Sequence, residues 1–249
     1  MKPSIPESSL LQKALLKLKR QGAANLLYAA AIKAINTVLP LKVLRGVTIA
    51  EPDSAYLAAP KSYVAGFLTE AQLRAYAADP ATEMSDAFLD GALAKGDECY
   101  AILDGNKLAA YGWYATTPTQ VGAPELQLHF RSDYVYMYKG FTDPRYRGQR
   151  LHAIGMTRAL HEYRRRGLRG IVSYVESTNF DSLKSCFRMG YKVFGSIYLA
   201  RAFGRHFAHS SPGCEPYAFR VVVSQYTAPR AATGQSASTT PPRTQTYQS

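Results

Sequence analysis

The chain has 249 residues, 47% of them hydrophobic, and a formal net charge of +12. This length and apolar content suffice for one α/β domain with a sizeable core. The three cysteines are an odd number without metal-ligand spacing, which argues against a disulfide framework and against a metal site. We therefore expect a cytoplasmic protein without a bound metal.

The positive charge is concentrated in two segments. Residues 1–46 carry eight Lys or Arg against one Glu, and residues 145–169 carry eight Arg against one Glu. Residues 47–144 carry six basic against thirteen acidic residues, a net −7. This distribution is not that of a general nucleic-acid binder, so no nucleic-acid partner is expected.

Residues 1–40 predict a basic, amphipathic helical extension. Apolar residues recur at helical spacing over residues 8–39, but no stretch reaches the roughly 20 apolar residues that span a bilayer. There is no signal-peptide layout either. Two interpretations stay open: the extension packs on the domain or on a second copy in a homodimer, or it lies peripherally on the inner face of an anionic membrane.

The next segments predict a mixture of strands and helices. Residues 41–50 predict a strand, and residues 68–78 and 86–94 predict helices. Strands at residues 99–103 and 108–114 form a hairpin, because Asp104-Gly105-Asn106 between them is a favourable turn. At the other end of the chain, residues 224–249 are rich in Thr, Ser, Gln and Pro and predict a disordered tail. The folded domain is therefore expected at residues 41–223.

A phosphate-binding loop is predicted between an aromatic strand at residues 134–141 and a helix that starts near Gln149. A strand that turns into a helix leaves backbone N–H groups unpaired at the positive end of the helix dipole. Gly148 lets the backbone approach a phosphate closely, and neighbouring arginines add charge-assisted donors. The predicted cofactor-binding residues are Phe141 at the strand end and Arg147, Gly148, Gln149, Arg150, Leu151, His152 and Ala153 in the loop.

The elements after the loop alternate between helix and strand. A helix over residues 154–163 is followed by a buried strand at 170–175. Asn179 is a good N-cap for a second helix, and Gly190 stands at the usual C-terminal place. Further strands are predicted at residues 191–199 and 217–223.

Arg147-Gly148, together with Asn179, Ser182 and Gly190-Tyr191, resembles the GCN5-related N-acetyltransferases. Their loop reads roughly Arg-Gly-x-Gly-x-Gly/Ala and their later signature reads Asn-x-x-Ala…Gly-Phe, while Arg150 and His152 replace two of the loop glycines here. The resemblance covers residues 41–223. It implies an α/β acyltransferase fold with a mixed, mostly antiparallel central sheet, splayed near residues 138–141 and 171–175, where the pantetheine arm enters.

The resemblance also implies a reaction. Acetyl-CoA, or another acyl-CoA, would give its acyl group to the amine of a small molecule or peptide by direct attack. No nucleophile–base motif indicates a covalent enzyme intermediate. Asn179 and Ser182 would contact the cofactor. A non-catalytic CoA-binding module and a membrane-surface protein acting through its basic helices stay open as alternatives.

The catalytic residues are predicted with alternatives. Many members of the family place a proton-donating tyrosine seven residues beyond the signature Asn, and this position is Cys186 here. The thiolate would leave unaided or be protonated by Tyr191 or Tyr174. The base would be Glu176 at the end of its strand, with His129, Asp133 or water as alternatives. Alternating tyrosines share one face of the strand predicted at residues 134–141 and serve either as sheet packing or as the lining of an acceptor pocket. They are Tyr134, Tyr136 and Tyr138.

Overall fold

The computed structural model describes Lys19, residues 21–58 and residues 62–223. Its helices are α1 Ala23–Ile35, α2 Glu70–Ala77, α3 Asp86–Ala94, α4 Leu151–Arg165 and α5 Phe180–Arg188. Its strands are β1 Leu41–Ile49, β2 Tyr63–Phe67, β3 Glu98–Asp104, β4 Lys107–Ala115, β5 Thr119–Gln120, β6 Leu126–His129, β7 Val135–Thr142, β8 Ile171–Glu176, β9 Lys192–Ala202, β10 Arg205–Ser210 and β11 Arg220–Val223. None of the described helices is long and apolar enough to cross a membrane.

Eight strands form one sheet in the order β10-β9-β1-β8-β7-β4-β3-β2, and β11-β6-β5 form a second, smaller sheet. Neighbours in the large sheet pair antiparallel, except for the parallel pair of β7 and β8. The predicted mixed, mostly antiparallel α/β fold is confirmed.

The sheet opens between β7 and β8. Their pairing is limited to Val135 opposite Ile171 and Tyr136 opposite Val172. The last link is the Ser173 hydroxyl, which donates to the Met137 carbonyl oxygen at 2.7 Å. Beyond this point the two facing backbone edges are free. The predicted splay is therefore present, but it starts at Met137 and Ser173, and Ile171 and Val172 are paired.

Strand β1 was predicted from the sequence without assigned neighbours. It lies between β8 and β9, which come from the second half of the chain. Residue patterns give a strand's existence but not its neighbours, because pairing depends on which sheet edge is open. Strands β2, β5, β6 and β10 were not predicted, since each is six residues or shorter and gives only a short sequence pattern.

Two apolar layers cover the faces of the large sheet. One layer packs α4 against residues such as Val47, Val135 and Ile171. The other packs the small sheet against Tyr136, Val172 and neighbouring side chains. Successive residues of a strand point to opposite faces, which is why Ile171 and Val172 belong to different layers. Helices α2 and α3 form a third cluster with β3 and β4.

The N-terminal helix α1 lies against the start of α5. The Tyr28 hydroxyl donates to Ser177 Oγ at 2.9 Å, and the Tyr28 ring meets the Phe180 ring edge-on at 6.4 Å. Of the predicted apolar stripe, Leu27 and Val38 are exposed. The greater part of the extension before α1 and the predicted tail at residues 224–249 lie outside the described residues.

Candidate active site

The connection from β7 to α4 presents a row of backbone donors. Gly148 (φ 85°) and Arg150 (φ 61°) both have left-handed backbone conformations, and α4 begins at Leu151 without a capping side chain. The N–H groups of residues 148–153 find no acceptor within the described part of the chain, and the first helical bond runs from the Ile154 N–H to the Arg150 oxygen. A Cβ added at Gly148 would meet only open space. These donors can therefore surround an anion at the helix N-terminus.

The arginines of this loop have different partners. Arg145 is paired with Asp143 at 2.6 Å, and this pairing lowers the pKa of the Asp143 carboxyl to about 2. Arg147 and Arg150 are exposed, and neither forms a salt bridge among the described residues, although the Arg147 charge also acts on Asp143. Arg147 and Arg150 thus remain free to bind phosphate, while Arg145 holds the turn in place. The left-handed backbone of Arg150 costs about 1–2 kcal/mol, which explains why glycine suits this place.

A cavity of about 230 Å³ lies in the splay between β7 and β8. Helix α5, the start of α4 and both strands form its walls. Its lining residues are Met137, Tyr138, Lys139, Gly140, His152, Ser173, Tyr174, Ser182, Cys186, Met189 and Tyr191. The cavity is next to the donor row because His152, the second residue of α4, belongs to both.

His152 and Gly140 fit each other within this cavity. A Cβ at Gly140 would lie 2.6 Å from His152 Cε1, so the imidazole rests against the bare backbone of β7. Burial lowers the pKa of His152, which keeps the ring neutral near pH 7. The residue replacing the last loop glycine therefore points into the splay and leaves its own backbone N–H available to an anion.

Tyr191 lines the same cavity and has a buried, unpaired hydroxyl. The side chain is buried, and its hydroxyl has no hydrogen-bond partner within the described residues. Burial, together with Tyr114 and Cys186, raises its pKa well above the usual value. Tyr191 therefore stays protonated at every ordinary pH and can donate a hydrogen bond. A buried polar group without a partner costs about 1–3 kcal/mol, so a ligand that accepts this bond would remove the penalty.

Cys186 occupies the position where many family members carry a tyrosine. It lies in the cavity wall, and burial raises the pKa of its thiol to about 11. The thiol is thus protonated near pH 7. It is also much shorter than a tyrosine side chain, which limits its reach into the cavity.

We expect Cys186→Ala to leave kcat within about twofold of wild type and to cost about 1 kcal/mol of stability through lost packing. Cys99→Ala is the matched control, because Cys99 is buried in a different cluster. Steady-state kinetics and thermal melting measure both effects. A large loss of kcat confined to folded Cys186→Ala would show that the thiol donates the proton.

The Asn179 signature forms the N-terminus of α5. The Asn179 side-chain oxygen accepts the Ser182 N–H at 3.2 Å, so Asn179 caps the helix, while Ser182 lines the splay cavity. The other loop residues have structural contacts as well. Gln149 accepts a hydrogen bond from the Tyr63 hydroxyl at 2.6 Å, and Phe141 stacks on Tyr111 at 5.1 Å. Leu151 and Ala153 are buried in the first turn of α4.

Glu176 lines a second and larger cavity on the opposite face of the sheet. This cavity, of about 530 Å³, is called here the β1–β9 cavity and is lined by Asn36, Pro40, Leu41, Lys42, Leu44, Val121, Gly122, Ala123, Leu126, Tyr174, Glu176, Leu199, Ala200, Arg201 and His206. The Glu176 carboxylate is half exposed and lies 3.5 Å from Lys42 Nζ. Tyr174 lines both cavities, so it lies between the splay and the Glu176 side.

The remaining base candidates lie elsewhere. His129 ends β6 in the small sheet, opposite Arg220, and lines neither cavity. Burial and the Arg220 charge lower its pKa. Asp133 accepts two hydrogen bonds from Arg131 and lies 3.6 Å from Arg169. The fold thus brings Tyr191 and the loop together, places Glu176 across the sheet, and keeps His129 and Asp133 apart from both.

The tyrosines of β7 form an aromatic row that sequence reasoning left undecided. Tyr136 stacks on Tyr138 and on Tyr174, with ring centroids 6.0 and 6.3 Å apart, and Tyr138 donates to the buried Asp97 carboxylate at 2.8 Å. Lys95 neutralises Asp97 at 2.9 Å. The row crosses from β7 to Tyr174 on β8 and stiffens the opening of the sheet. Among the described residues no group of three or more His, Cys, Asp or Glu could hold a metal ion.

The loop after β7, the splay between β7 and β8, and the unpaired N–H groups at the start of α4 define an acyltransferase-type fold. Comparison with known proteins identifies the family. The acetyltransferase (GNAT) family profile matches residues 66–191, half of the chain. The chain therefore belongs to the GNAT acetyltransferase family. No curated protein matches its sequence.

Several solved structures are similar to the chain. A protein of Novosphingobium aromaticivorans assigned to the GNAT family is 16% identical over 69% of this chain and 66% of its own length, with a TM-score of 0.45. A GCN5-related N-acetyltransferase of Sphaerobacter thermophilus is 12% identical over 73% and 56% of the respective chains, with a TM-score of 0.46. AAC(6')-Iy, solved with a CoA-containing bisubstrate analogue, is 13% identical over 52% and 90%, with a TM-score of 0.41. The chain thus spans less than two thirds of the length of the Novosphingobium and Sphaerobacter proteins.

Proposed function

We propose that this protein transfers an acetyl or other short acyl group from acyl-CoA to an amine. The observation that carries the proposal is the continuity between the unpaired N–H groups of residues 148–153 and the splay cavity, which is lined by Tyr191, a residue with a buried and unpaired hydroxyl. A diphosphate satisfies the first set of donors and a thioester sulfur accepts from the second. The free backbone edges of β7 and β8 can pair with the amides of a pantetheine arm.

The residues present fit acyl-CoA in both charge and shape. Arg147 and Arg150 supply two cations, without salt bridges among the described residues, beside the donor row, and Gly148 leaves open space above it. Acyl-CoA supplies an activated carbonyl carbon and a thiolate leaving group. The protein holds the diphosphate at the start of α4 and the arm between β7 and β8, which orients the carbonyl for attack.

The transfer requires two proton movements. The amine nitrogen forms a bond to the carbonyl carbon and the carbon–sulfur bond breaks, giving an amide and a thiol. The amine loses a proton to a base on the β1–β9 side, for which Glu176 is the proposed acceptor. The sulfur gains a proton from Tyr191 in the splay cavity. Tyr174, which lines both cavities, borders the path between them.

Ligand-dependent melting tests the cofactor site. Acetyl-CoA should raise the melting temperature, because a ligand at 100 times its Kd stabilises the folded state by about 2.7 kcal/mol. Arg147→Ala and Arg150→Ala should each weaken binding about tenfold, since a hydrogen bond to a charged group contributes about 1.5–3 kcal/mol. Arg205→Ala, an exposed arginine on β10, is the matched control.

A truncated ligand distinguishes binding by the loop from binding in the splay cavity. Acetyl-pantetheine lacks the diphosphate, so its affinity should be the same in wild type and in both loop variants. The absence of any melting shift with millimolar acetyl-CoA would contradict the proposal. Binding without turnover on a broad amine panel would favour the non-catalytic CoA-binding alternative.

A further inference from the structure

The β1–β9 cavity combines an apolar floor with a rim of charged pairs. Leu44, Val121, Leu126 and Leu199 are each less than a tenth exposed and line it together. They come from β1, the β5–β6 connection, β6 and β9, so the insertion of β1 between β8 and β9 completes this floor. The volume of about 530 Å³ lies within the range of small-molecule sites.

The rim carries one carboxylate and two cations. Glu176 is the lining carboxylate in the described residues, and it faces Lys42 at 3.5 Å, while Arg201 adds a second cation. His206 is held by Glu125 at 2.8 Å. Such a rim gives a single ammonium group one carboxylate to approach. It gives a polycation no excess of negative charge, and the two cations would repel its further amino groups.

We infer that the acceptor is a monoamine on an apolar body of about one aromatic ring, held in the β1–β9 cavity with its nitrogen toward Glu176 and Tyr174. This inference rests on the proposed acyl transfer and specifies its substrate class. The apolar body covers the leucine floor, and the nitrogen lies on the side where Tyr174 separates this cavity from the splay. Polyhydroxylated or polycationic amines would have to desolvate polar groups against that floor.

The first arm of the test compares acceptors. With saturating acetyl-CoA, kcat/KM for 2-phenylethylamine should exceed that for methylamine about tenfold or more, because burial of a ring is worth at least that factor. Spermidine and sisomicin, a polyamine and an aminoglycoside, should be poorer acceptors than 2-phenylethylamine. Equal or better use of spermidine, sisomicin or methylamine would overturn the assignment.

The second arm fills the cavity. Ala123 lies in the β5–β6 connection, is only half-buried, and lines the cavity, so Ala123→Phe adds a ring without opening the core. The KM for 2-phenylethylamine should rise about tenfold while the Kd of acetyl-CoA stays the same. Ala71→Phe, on the exposed surface of α2, is the matched control with no expected change. An unchanged KM in folded Ala123→Phe would overturn the assignment.

The two proposals fail in different ways. If acetyl-CoA binds and other amines are acetylated but apolar monoamines are not, the substrate class is wrong and acyl transfer stands. If acetyl-CoA produces no melting shift, acyl transfer itself is wrong and the acceptor assignment falls with it. The acetyl-CoA melting experiment on wild type, run without any amine, decides between these cases.

Discussion

Tyr191→Phe should lower kcat about 100-fold and leave the protein at least as stable as wild type. The loss follows from removing the proposed proton donor to the departing sulfur, since general acid catalysis contributes about 10²–10⁴-fold. Stability should not fall because the hydroxyl is buried without a partner among the described residues, so its removal deletes an unsatisfied polar group. Steady-state kinetics and thermal melting of the same preparation measure the two effects.

Tyr163→Phe provides the matched control for this substitution. Tyr163 is also buried, but its hydroxyl donates to Glu98 at 3.1 Å, and it does not line the splay cavity. We expect Tyr163→Phe to keep kcat and to lose about 0.5–1.5 kcal/mol of stability. The two variants thus have opposite signatures. Wild-type kcat in Tyr191→Phe would mean that the thiolate leaves without help or is protonated by another group.

The elements from β7 to β9 could be predicted closely from local signals. Asn179 caps α5, and Gly190 follows it with a positive φ of 90°. The loop around Gly148 was found because charge, glycine and helix start coincide over a few neighbouring residues. Signals of this kind act over a few neighbouring residues. Caps and turn residues determine the backbone conformation only within that range.

What depended on contacts between distant segments could not be predicted. The sequence of β1 is typical of a strand but does not specify that it enters between β8 and β9, and the β1–β9 cavity exists only because it does. The same holds for the fit of His152 against Gly140 and for the unpaired hydroxyl of Tyr191. Each results from the way whole elements pack on one another, which local residue patterns do not specify.

The separation of Glu176 from the splay gives its role a specific test. Glu176→Gln should lower kcat about 100-fold with an amine acceptor and leave the acetyl-CoA Kd unchanged, because the carboxylate lines the proposed acceptor cavity and not the splay cavity proposed for the cofactor. Glutamine keeps the size and polarity but cannot take a proton. Glu70→Gln, which removes a similarly exposed partner of Arg74, is the control with no expected effect.

The pH dependence distinguishes a base from a binding contact. If Glu176 removes the proton of a bound ammonium group before attack, the defect of Glu176→Gln should shrink as the pH approaches the pKa of the free amine, because the solvent then supplies the neutral amine. If the carboxylate only attracts the ammonium group, Glu176→Gln should instead raise KM and leave kcat unchanged. A kcat defect that is constant over the whole pH range would contradict the base role and assign proton removal to water on the same side of the sheet.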